Sequence, residues 1–572
     1  MHGDFEAQRH WMEITIHTPP HEWYVNTSQN DLLYWGLDYP PASAWGAASM
    51  GHVAHAMVPH AVALHTSRGM EDMPTRIFMR SSVILLDAAL YIPAVLWLLW
   101  QCMAREQQPQ QQQPRARIKQ AAVLGLPAVT LLALAPPAQT LIDAGHFQYN
   151  GVSIAGGIAW IACVYLATRA RTSRWASVAW LTASVVAYTW AINWKQMALH
   201  FAAAVLCIQL VCTHAVAGKL TQRWGVLVML TLLVVQAAMA GATLAMLWLP
   251  LCSSLPQGIL DSNCAATLSA VVRRIFPLGR NVYEDKVASI WCAIEPIARV
   301  RATSAALIAR LPDAVAASQL NMAVGGAALL TLLLTLPAVW AAFGHSAQRA
   351  GITHWACCLV ACALASFLAA WHVHEKTLLQ AGAFGALALA AAELEQPCKP
   401  GNAAQPAEPA SALHAELLKT HPEVSGVSDT SSSEAAAPPA LEVAAPASPI
   451  AAPLWALQVL SVATLAPLLL KDGLALPGIV VGSLLCAQFV SVWRRAPSGW
   501  LTSCLLPAVA CVAALAIAIG VAPRPARWPW LWEQGLASAG AGALLLVWAN
   551  ISRAAVTGLT LVASQGAKAK QA

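Results

Sequence analysis

The chain has 572 residues, of which 58% are hydrophobic and 10% are charged, with a mean hydropathy of +0.56 and a net charge of +6. Soluble domains carry roughly 25% charged residues, so this composition excludes a soluble globular protein and predicts a polytopic membrane protein. Lys and Arg lie in short clusters between apolar stretches, which indicates orientation signals and not a nucleic-acid-binding surface. The 14 cysteines are scattered, without a Cys-x-x-Cys motif, and many lie in apolar runs as small core residues.

Stretches of about 20 mainly apolar residues predict thirteen membrane-spanning helices. They lie near residues 80–103, 119–141, 151–168, 175–192, 196–217, 225–250, 319–343, 353–371, 377–395, 452–470, 474–493, 500–521 and 536–560. Two other segments are too polar to span a membrane. Residues 107–114 form a polar, glutamine-rich loop, and residues 396–451 are rich in Pro, Ala, Ser and Glu, which predicts a disordered insert.

The basic residues predict how the spans are oriented. Lys and Arg concentrate in alternate connections, which the positive-inside rule assigns to the cytosol. The connections on the opposite side are then residues 1–79, 142–150, 193–195, 251–318, 372–376, 471–473 and 522–535. The chain therefore divides into a first non-cytosolic loop (1–79), a transmembrane core (80–395), a cytosolic insert (396–451) and C-terminal spans with a cytosolic tail (452–572).

The first non-cytosolic loop carries two polar motifs and a glycosylation sequence. The stretch "GLDYPP" (36–41) holds Asp38 in a loop stiffened by two prolines, or is simply a turn before a helix. Asn26 begins an Asn-Thr-Ser acceptor for N-glycosylation. The stretch "GDFEAQRHWMEIT" (3–15) predicts a short helix, either an interfacial helix with a solvated charged face or part of a site. Its ionisable residues are Asp4, Glu6, Arg9, His10 and Glu13.

Further polar clusters fall in the other non-cytosolic connections. Ionisable groups at bilayer depth are costly and usually face an interior cavity, although any single one could be a snorkelling or capping residue. Their collection on one side predicts a site there. The clusters are Asp143, His146, Gln148, Tyr149 and Asn150 in "DAGHFQYNG", Lys195 and Gln196 in "NWKQMALHF", Arg273 to Lys286 in the fourth loop, and His372, His374, Glu375 and Lys376 in "WHVHEK".

The residue types in these clusters favour one kind of chemistry. "HVHEK" lacks the second histidine of a His-Glu-x-x-His zinc motif, so we expect no metal. Adjacent His and Lys side chains supply cationic donors for a phosphate, and Asp4 or Asp38 could supply a carboxylate base for an incoming hydroxyl. With the aromatic residues of the first loop, this combination suits attack of an alcohol on a lipid-carried, phosphate-activated group.

Six motifs in order carry a family resemblance: "GDFEAQRHWMEIT", "YWGLDYPP", "DAGHFQYN", "WKQMAL", "FPLGRNVYEDKVASIWC" and "HVHEK". Together they resemble the endoplasmic-reticulum dolichyl-phosphate-glucose α-1,3-glucosyltransferases, polytopic all-α membrane enzymes of the GT-C class. The resemblance spans residues 3 to about 395, and the last four spans match only in hydropathy. The first-loop motif, "KQMAL" and "EDKVASIWC" favour the members that add the first glucose to the nine-mannose lipid-linked oligosaccharide over those that add the second.

The resemblance implies an inverting transfer of glucose from dolichyl phosphate glucose to a mannose of a dolichyl-diphosphate-linked oligosaccharide, in N-glycan precursor assembly. It implies a multi-pass protein of the endoplasmic-reticulum membrane whose active site is formed by luminal loops and uses neither metal nor cofactor. The general base carries over to Asp4, and the donors to the donor phosphate carry over to His374 and Lys376. We expect the remaining ionisable residues of the clusters to bind the substrates: Glu6, Arg9, Asp38, Asp143, His146, Lys195 and Glu375.

The chain departs from the family pattern at its start and in its insert. Family members have a span before the Gly-Asp-Phe-Glu motif, whereas only two residues precede the motif here, which suggests a missing N-terminal segment. The alternatives are the sister enzyme that adds the second glucose and, from another class, a polyprenyl-lipid transporter. Transporters tend to contain internal repeats and interrupted helices near the bilayer midplane, and no repeat is evident in this sequence.

Overall fold

The computed structural model describes residues 3–105, 125–252, 264–276, 287–298, 322–344, 350–370, 373–395 and 448–558. The regular elements in this part of the chain are helices, as the composition predicts. The glutamine-rich loop 107–114 and the predicted insert, except for residues 448–451, lie outside the described residues.

Within the described ranges, twelve helices are long and apolar enough to cross a bilayer. Each coincides with one of the predicted spans. They are Met73–Ala104, Asn150–Thr168, Arg174–Trp194, Gln196–Leu220, Gly225–Cys252, Gly325–Gly344, Ile352–Ala369, Glu375–Glu395, Ala451–Lys471, Ala475–Trp493, Trp500–Val521 and Leu531–Val556.

The remaining predicted span, 119–141, is described only from residue 125. There the helix Gly125–Leu134 ends just before Pro136 and Pro137, because a proline lacks the N–H that continues a helix and clashes with the preceding turn. A short helix, Pro137–Thr140, and a π-helical turn, Leu141–Phe147, follow.

The first span begins seven residues earlier than predicted because its start carries capping signals. Asp72 accepts a hydrogen bond from the backbone N–H of Thr75 (3.1 Å), and Pro74 occupies the first turn, where its missing N–H has no cost. The helix runs through Met73–Leu86, a π-helical turn at Asp87–Tyr91 and Ile92–Arg105.

The centre of the bundle is the helix Ile352–Ala369, which is buried along its whole length. It packs against Met322–Gly344, Leu378–Glu395 and Leu531–Val556. The helix Trp500–Val521 lies at the periphery and exposes most of its apolar side chains. Helices that are apolar on every side suit either a protein core or a lipid-facing position, so hydropathy alone does not rank them by depth.

Four α-helices of the described residues lie outside the predicted spans: Gly3–His17, Pro41–Met57, Cys264–Ile275 and Ile290–Ala298. The first two pack closely, because Gly51 has no Cβ to collide with the backbone oxygen of Met12, from which a Cβ would be 2.7 Å away. Pro40 has extended backbone geometry (φ −63°, ψ 163°) and caps the helix that begins at the next proline. The "YPP" motif is therefore a helix start.

The connections predicted to share the non-cytosolic side contact one another. Such contacts require all seven to lie at the same end of the helical bundle, and this end holds the polar clusters. The linking pairs are Asp4 with His146 and Lys376, Gln148 with Lys195, His146 with Asp472, Arg274 with Leu37, and Gln534 with Cys292.

Candidate active site

The carboxylate of Asp4 is the point at which three connections meet. Asp4 lies in the first turn of the helix Gly3–His17. Its Oδ2 accepts hydrogen bonds from Nε2 of His146 (2.8 Å) and Nε2 of Gln148 (2.5 Å), and it pairs with Nζ of Lys376. The residue predicted to be the base and one of the predicted phosphate donors are therefore in direct contact.

These partners keep Asp4 ionised and leave one of its oxygens open. Burial alone would raise the pKa of Asp4, but the hydrogen bond from His146 and the positive charges of Lys376 and His146 outweigh it and hold the pKa well below its usual range. Among the residues that the structure describes, no donor contacts Oδ1, and 28% of the side chain is exposed. The arrangement fixes Oδ2 and presents Oδ1 to whatever enters the site.

His146 lies between two carboxylates. Its Nε2 contacts Asp4 and its Nδ1 contacts Oδ2 of Asp472, a residue of the C-terminal spans. Burial lowers the pKa of His146, but the hydrogen bonds to Asp4 and Asp472 more than offset this and raise it. An imidazole that donates through both nitrogens is an imidazolium, so His146 is a cation in this arrangement.

A second layer of hydrogen bonds holds Gln148 against Asp4. Oε1 of Gln148 accepts from Nζ of Lys195 (2.5 Å) and from the hydroxyl of Tyr39 (3.1 Å). Lys195 also donates to Oδ1 of Asn150 (2.6 Å) and lies 4.7 Å from the centre of the Tyr39 ring. Because Lys195 is almost fully buried, it acts on the site by fixing Gln148.

Asp143 is fully buried behind this layer. It accepts from Nδ2 of Asn150 (2.5 Å) and from the backbone N–H of Gly151 (2.9 Å). Burial and the nearby negative charge of Asp87 raise the pKa of Asp143, while burial lowers the pKa of Lys195, which the charge of Asp143 partly offsets. The structure therefore gives Asp143 supporting contacts and no exposed surface for a substrate.

The "HVHEK" motif contributes one inward and two outward side chains. Lys376 is 7% exposed and points at Asp4, whereas the side chains of His374 and Glu375 are 40% and 24% exposed. Nδ1 of His374 lies 3.1 Å from Oε2 of Glu375. His372 lies outside the described residues. Of the two cationic donors in this motif, Lys376 is buried against Asp4 and His374 is more exposed.

Glu6 and Arg9 belong to a different cluster. Arg9 pairs with Glu6 (2.6 Å) and Glu13 (3.0 Å), and all three side chains have no exposed surface. Arg9 also donates to Oγ of Ser67, and so ties the helix to the segment that precedes the first span. The charged face of this helix is buried, not solvated, and the structure does not bring Glu6 or Arg9 to the contacts around Asp4.

Helical geometry accounts for this separation. With about 100° per residue, positions 6, 9 and 13 fall within about 60° of one another on the side of the helix opposite position 4. The spacing of these residues in the sequence therefore already indicated that Glu6 and Arg9 face away from Asp4.

Asp38 lies in a loop whose backbone is clamped by Arg274. The guanidinium donates to the carbonyl oxygens of Leu37 (3.1 Å), Gly36 (3.1 Å) and one further residue of the loop. Asp38 is partly exposed. The pKa of Tyr39 is raised first by burial, then by the charge of Asp4 and then by the charge of Asp38, so Asp38 lies near this ring. The loop therefore brings Asp38 near Tyr39, whose hydroxyl bonds to Gln148.

A disulfide supports the element that carries this arginine. Cys252 and Cys264 are bonded, which joins the end of one span to the start of the helix Cys264–Ile275. The sequence pattern predicted a core position for the cysteines in apolar runs and predicted no pairing of these two. Both lie in a connection predicted to be non-cytosolic, which matches the compartments in which disulfides persist.

Sequence reasoning named Gln148, Asn150 and Tyr39 in motifs but did not assign them to the site, and it missed Asp472. The only signal for Asp472 was a single carboxylate in the three-residue connection 471–473. Within the described part of the chain, no group of three or more His, Cys, Asp or Glu side chains is arranged to hold a metal ion.

Comparison with known proteins gives relatives that carry the name dolichyl pyrophosphate Man9GlcNAc2 alpha-1,3-glucosyltransferase. The protein from Gallus gallus is 33% identical over 379 residues, which cover 66% of this chain and 62% of the relative. The Mus musculus protein is 34% identical over 379 residues, with the same coverage. The Saccharomyces cerevisiae protein is 32% identical over 386 residues, which cover 66% of this chain and 58% of the relative. The chain thus spans about three fifths of the length of these relatives.

The profile of the ALG6, ALG8 glycosyltransferase family matches residues 1–397. This range contains Asp4, the connection with His146 and Gln148, Lys195 and Lys376, so it includes the cluster except for Asp472. The chain therefore belongs to the ALG6, ALG8 glycosyltransferase family, and its all-helical, multi-span fold is that of a GT-C membrane glycosyltransferase.

Proposed function

We propose that this chain transfers glucose from dolichyl phosphate glucose to a mannose of a dolichyl-diphosphate-linked oligosaccharide, forming an α-1,3 linkage. The observation that carries the proposal is Asp4, an ionised carboxylate with Oδ2 fixed by three donors and Oδ1 open. The names of the relatives, which act on Man9GlcNAc2, favour this acceptor.

Asp4 is the general base of the proposed reaction. The acceptor hydroxyl attacks the anomeric carbon of glucose while its proton moves to Oδ1 of Asp4. The bond from that carbon to the phosphate oxygen breaks, and its electron pair leaves with dolichyl phosphate. A β-linked donor then gives an α-linked product in one displacement, so a single carboxylate is sufficient.

Lys376 and His374 bind the donor phosphate in this proposal. An ammonium group has three N–H donors, so Lys376 can hold a phosphate oxygen and keep its contact with Asp4. His374 is more exposed and lies two residues away, where it can approach the same phosphate from the solvent side. Cationic donors aimed at the departing phosphate stabilise the charge that develops there, and such preorganised electrostatics are often the largest contribution to catalysis.

The other predicted substrate-binding residues fall into two groups by exposure. Asp38 and Glu375 are partly exposed, and we assign them to hydroxyl groups of the sugars. The remaining five are buried and bonded to protein groups, so they hold the site in shape: Glu6, Arg9, Asp143, His146 and Lys195.

The proposed location is the endoplasmic-reticulum membrane with this end of the bundle in the lumen. The disulfide and the exposed acceptor asparagine, Asn26, both lie on that side and support the assignment. Replacing Asn26 with Gln should remove an endoglycosidase-sensitive shift in mobility. If the wild-type chain carries no such shift while a glycosylation sequence inserted at residues 494–495 is modified, the orientation is the reverse.

The function is tested with the purified chain, dolichyl phosphate glucose and two acceptors, the unglucosylated and the singly glucosylated lipid-linked glycans. We expect transfer to the unglucosylated acceptor, and a rate lower by at least about a hundredfold when Asp4 is replaced with Asn. Transfer only to the singly glucosylated acceptor would assign the chain to the second step. Movement of the lipid across vesicles without a new glycosidic bond would identify a transporter.

A further inference from the structure

We propose that Asp472 is a positioning residue of the active site, which holds His146 so that the ring donates to Asp4. This inference rests on the proposed function in that Asp4 is taken as the base. Asp472 lies beyond residue 397, where the match to the family ends. It would give the C-terminal spans a direct part in the reaction.

The local sequence explains how Asp472 is aimed. The helix Ala466–Lys471 ends at Asp472, and Gly473 follows with a left-handed backbone (φ 71°). The N–H of Leu474 then bonds back to the carbonyl of Leu469 (2.7 Å). A glycine-ended helix of this kind fixes the chain direction after its last turn. The carboxylate of Asp472 is accordingly held, with 1% of its side chain exposed.

Packing brings this turn against the segment that carries His146. A Cβ on Gly145 would lie 2.6 Å from Cδ1 of Leu474, so the Leu474 side chain packs into space that only a glycine leaves open. The contact between His146 and Asp472 joins residues 326 apart in the chain. Because both sides are buried and packed, the contact is part of the interior and not an exposed surface pair.

The chemical consequence follows from the shape of the ring. An imidazole held at one nitrogen alone can rotate or donate elsewhere, whereas a carboxylate at each nitrogen fixes both its orientation and its protons. Among the residues that the structure describes, the charged groups that act on His146 are Asp4, Asp472 and Lys376. In the described residues, the path from Asp472 to Asp4 runs through the two nitrogens of this ring.

The first test compares Asp472→Ala with Asp472→Asn. Alanine leaves Nδ1 of His146 without this partner, and misplacement of a reacting group by about 1 Å can cost about 10²-fold in rate. We expect a loss of about that size in kcat, with KM for both lipids unchanged because Asp472 does not reach them. Asparagine can still bond to Nδ1 and should recover most of the activity. Glu533→Gln, which removes a carboxylate paired with Arg524 in another connection of the C-terminal spans, should not change kcat.

A double variant tests whether Asp472 acts through His146. If it does, Asp472→Ala should add no further loss to His146→Ala, since residues that act as one unit are not additive. Multiplied losses would overturn the proposal. So would a kcat per folded molecule that does not change in Asp472→Ala.

A measurement without turnover separates this inference from the proposed function. Hydrogen–deuterium exchange at C2 of His146, followed by mass spectrometry across pH, reports the protonation midpoint of the ring. Loss of the Asp472 charge should lower the midpoint in Asp472→Asn by about one pH unit, the size expected for one charged partner. An unchanged midpoint would refute the contact. A lowered midpoint in a chain that transfers no glucose would support the contact and reject the proposed function.

Discussion

Replacing Asp4 with Asn tests the centre of the site, because the change removes basicity and charge while keeping the volume. Loss of a general base costs about 10²–10⁴-fold, so kcat should fall at least a hundredfold. The structure also predicts an effect on the donor. Lys376 keeps an amide acceptor but loses the ion pair with Asp4. A hydrogen bond to a charged group is worth about 1.5–3 kcal/mol and a neutral one about 0.5–1.5 kcal/mol, so the contact weakens by about 1–1.5 kcal/mol. The freed ammonium can bind the phosphate more tightly, and KM for the donor should fall by up to about tenfold.

Initial rates with labelled dolichyl phosphate glucose, normalised to folded protein, measure both quantities. Asp31→Asn is a matched control, because Asp31 belongs to the first connection as Asp4 does and, in the described residues, its carboxylate accepts from the nearby N–H of Leu33 (3.0 Å). Retention of more than about a tenth of wild-type turnover by Asp4→Asn, below the usual range for a lost base, would show that the base is elsewhere. Asp38 would then be the leading candidate, since Asp143 has no exposed surface.

Three further predictions concern the support of the site. Burial would raise the pKa of Glu13, but hydrogen bonds and the charge of Arg9 lower it to about 2. The ionised Glu13 therefore stabilises the fold by about 3 kcal/mol above about pH 4.5, and this stabilisation is lost as the pH falls towards 2. Glu13→Gln should accordingly flatten the acid part of the curve of melting temperature against pH. Gly36→Ala would place a Cβ 2.8 Å from the backbone of Leu32 and 2.7 Å from the guanidinium of Arg274, and should cost about 1–3 kcal/mol, measured as a lower Tm, whereas an unchanged Tm would mean that the loop does not fold back on Leu32 in this way. Replacing Cys252, Cys264 or both with Ser should lower the Tm equally, because one bond is lost in every case; unequal losses would count against the pairing.

The sequence by itself determined the class of protein and the position of its spans. Twelve of the thirteen predicted spans coincide with helices of the described residues, because about 20 apolar residues are what a bilayer requires and their hydropathy does not depend on packing. Capping signals such as Asp72 before Met-Pro also act locally. The motifs that carried the family resemblance were also sufficient to predict the family, which the match to residues 1–397 confirmed.

Some of the site could also have been predicted from local geometry. Glu6 and Arg9 lie on the face of their helix opposite Asp4, which the 3.6-residue period implies. The helical period does not predict whether that face is buried or exposed. Whether a charged face meets water or other protein depends on which element covers it, and here the segment from Ala61 to Gly69 does so.

Only the tertiary structure decided which polar residues meet. His146, Lys376 and Asp472 come from connections that lie far apart in the chain, yet each contacts Asp4 or a partner of Asp4. Hydropathy treats all membrane spans alike, so it assigns their ends to one side of the bilayer without saying which ends are neighbours. That arrangement follows from close packing between helices, such as the approach of Gly145 to Leu474, and these contacts set the distances on which the chemistry depends.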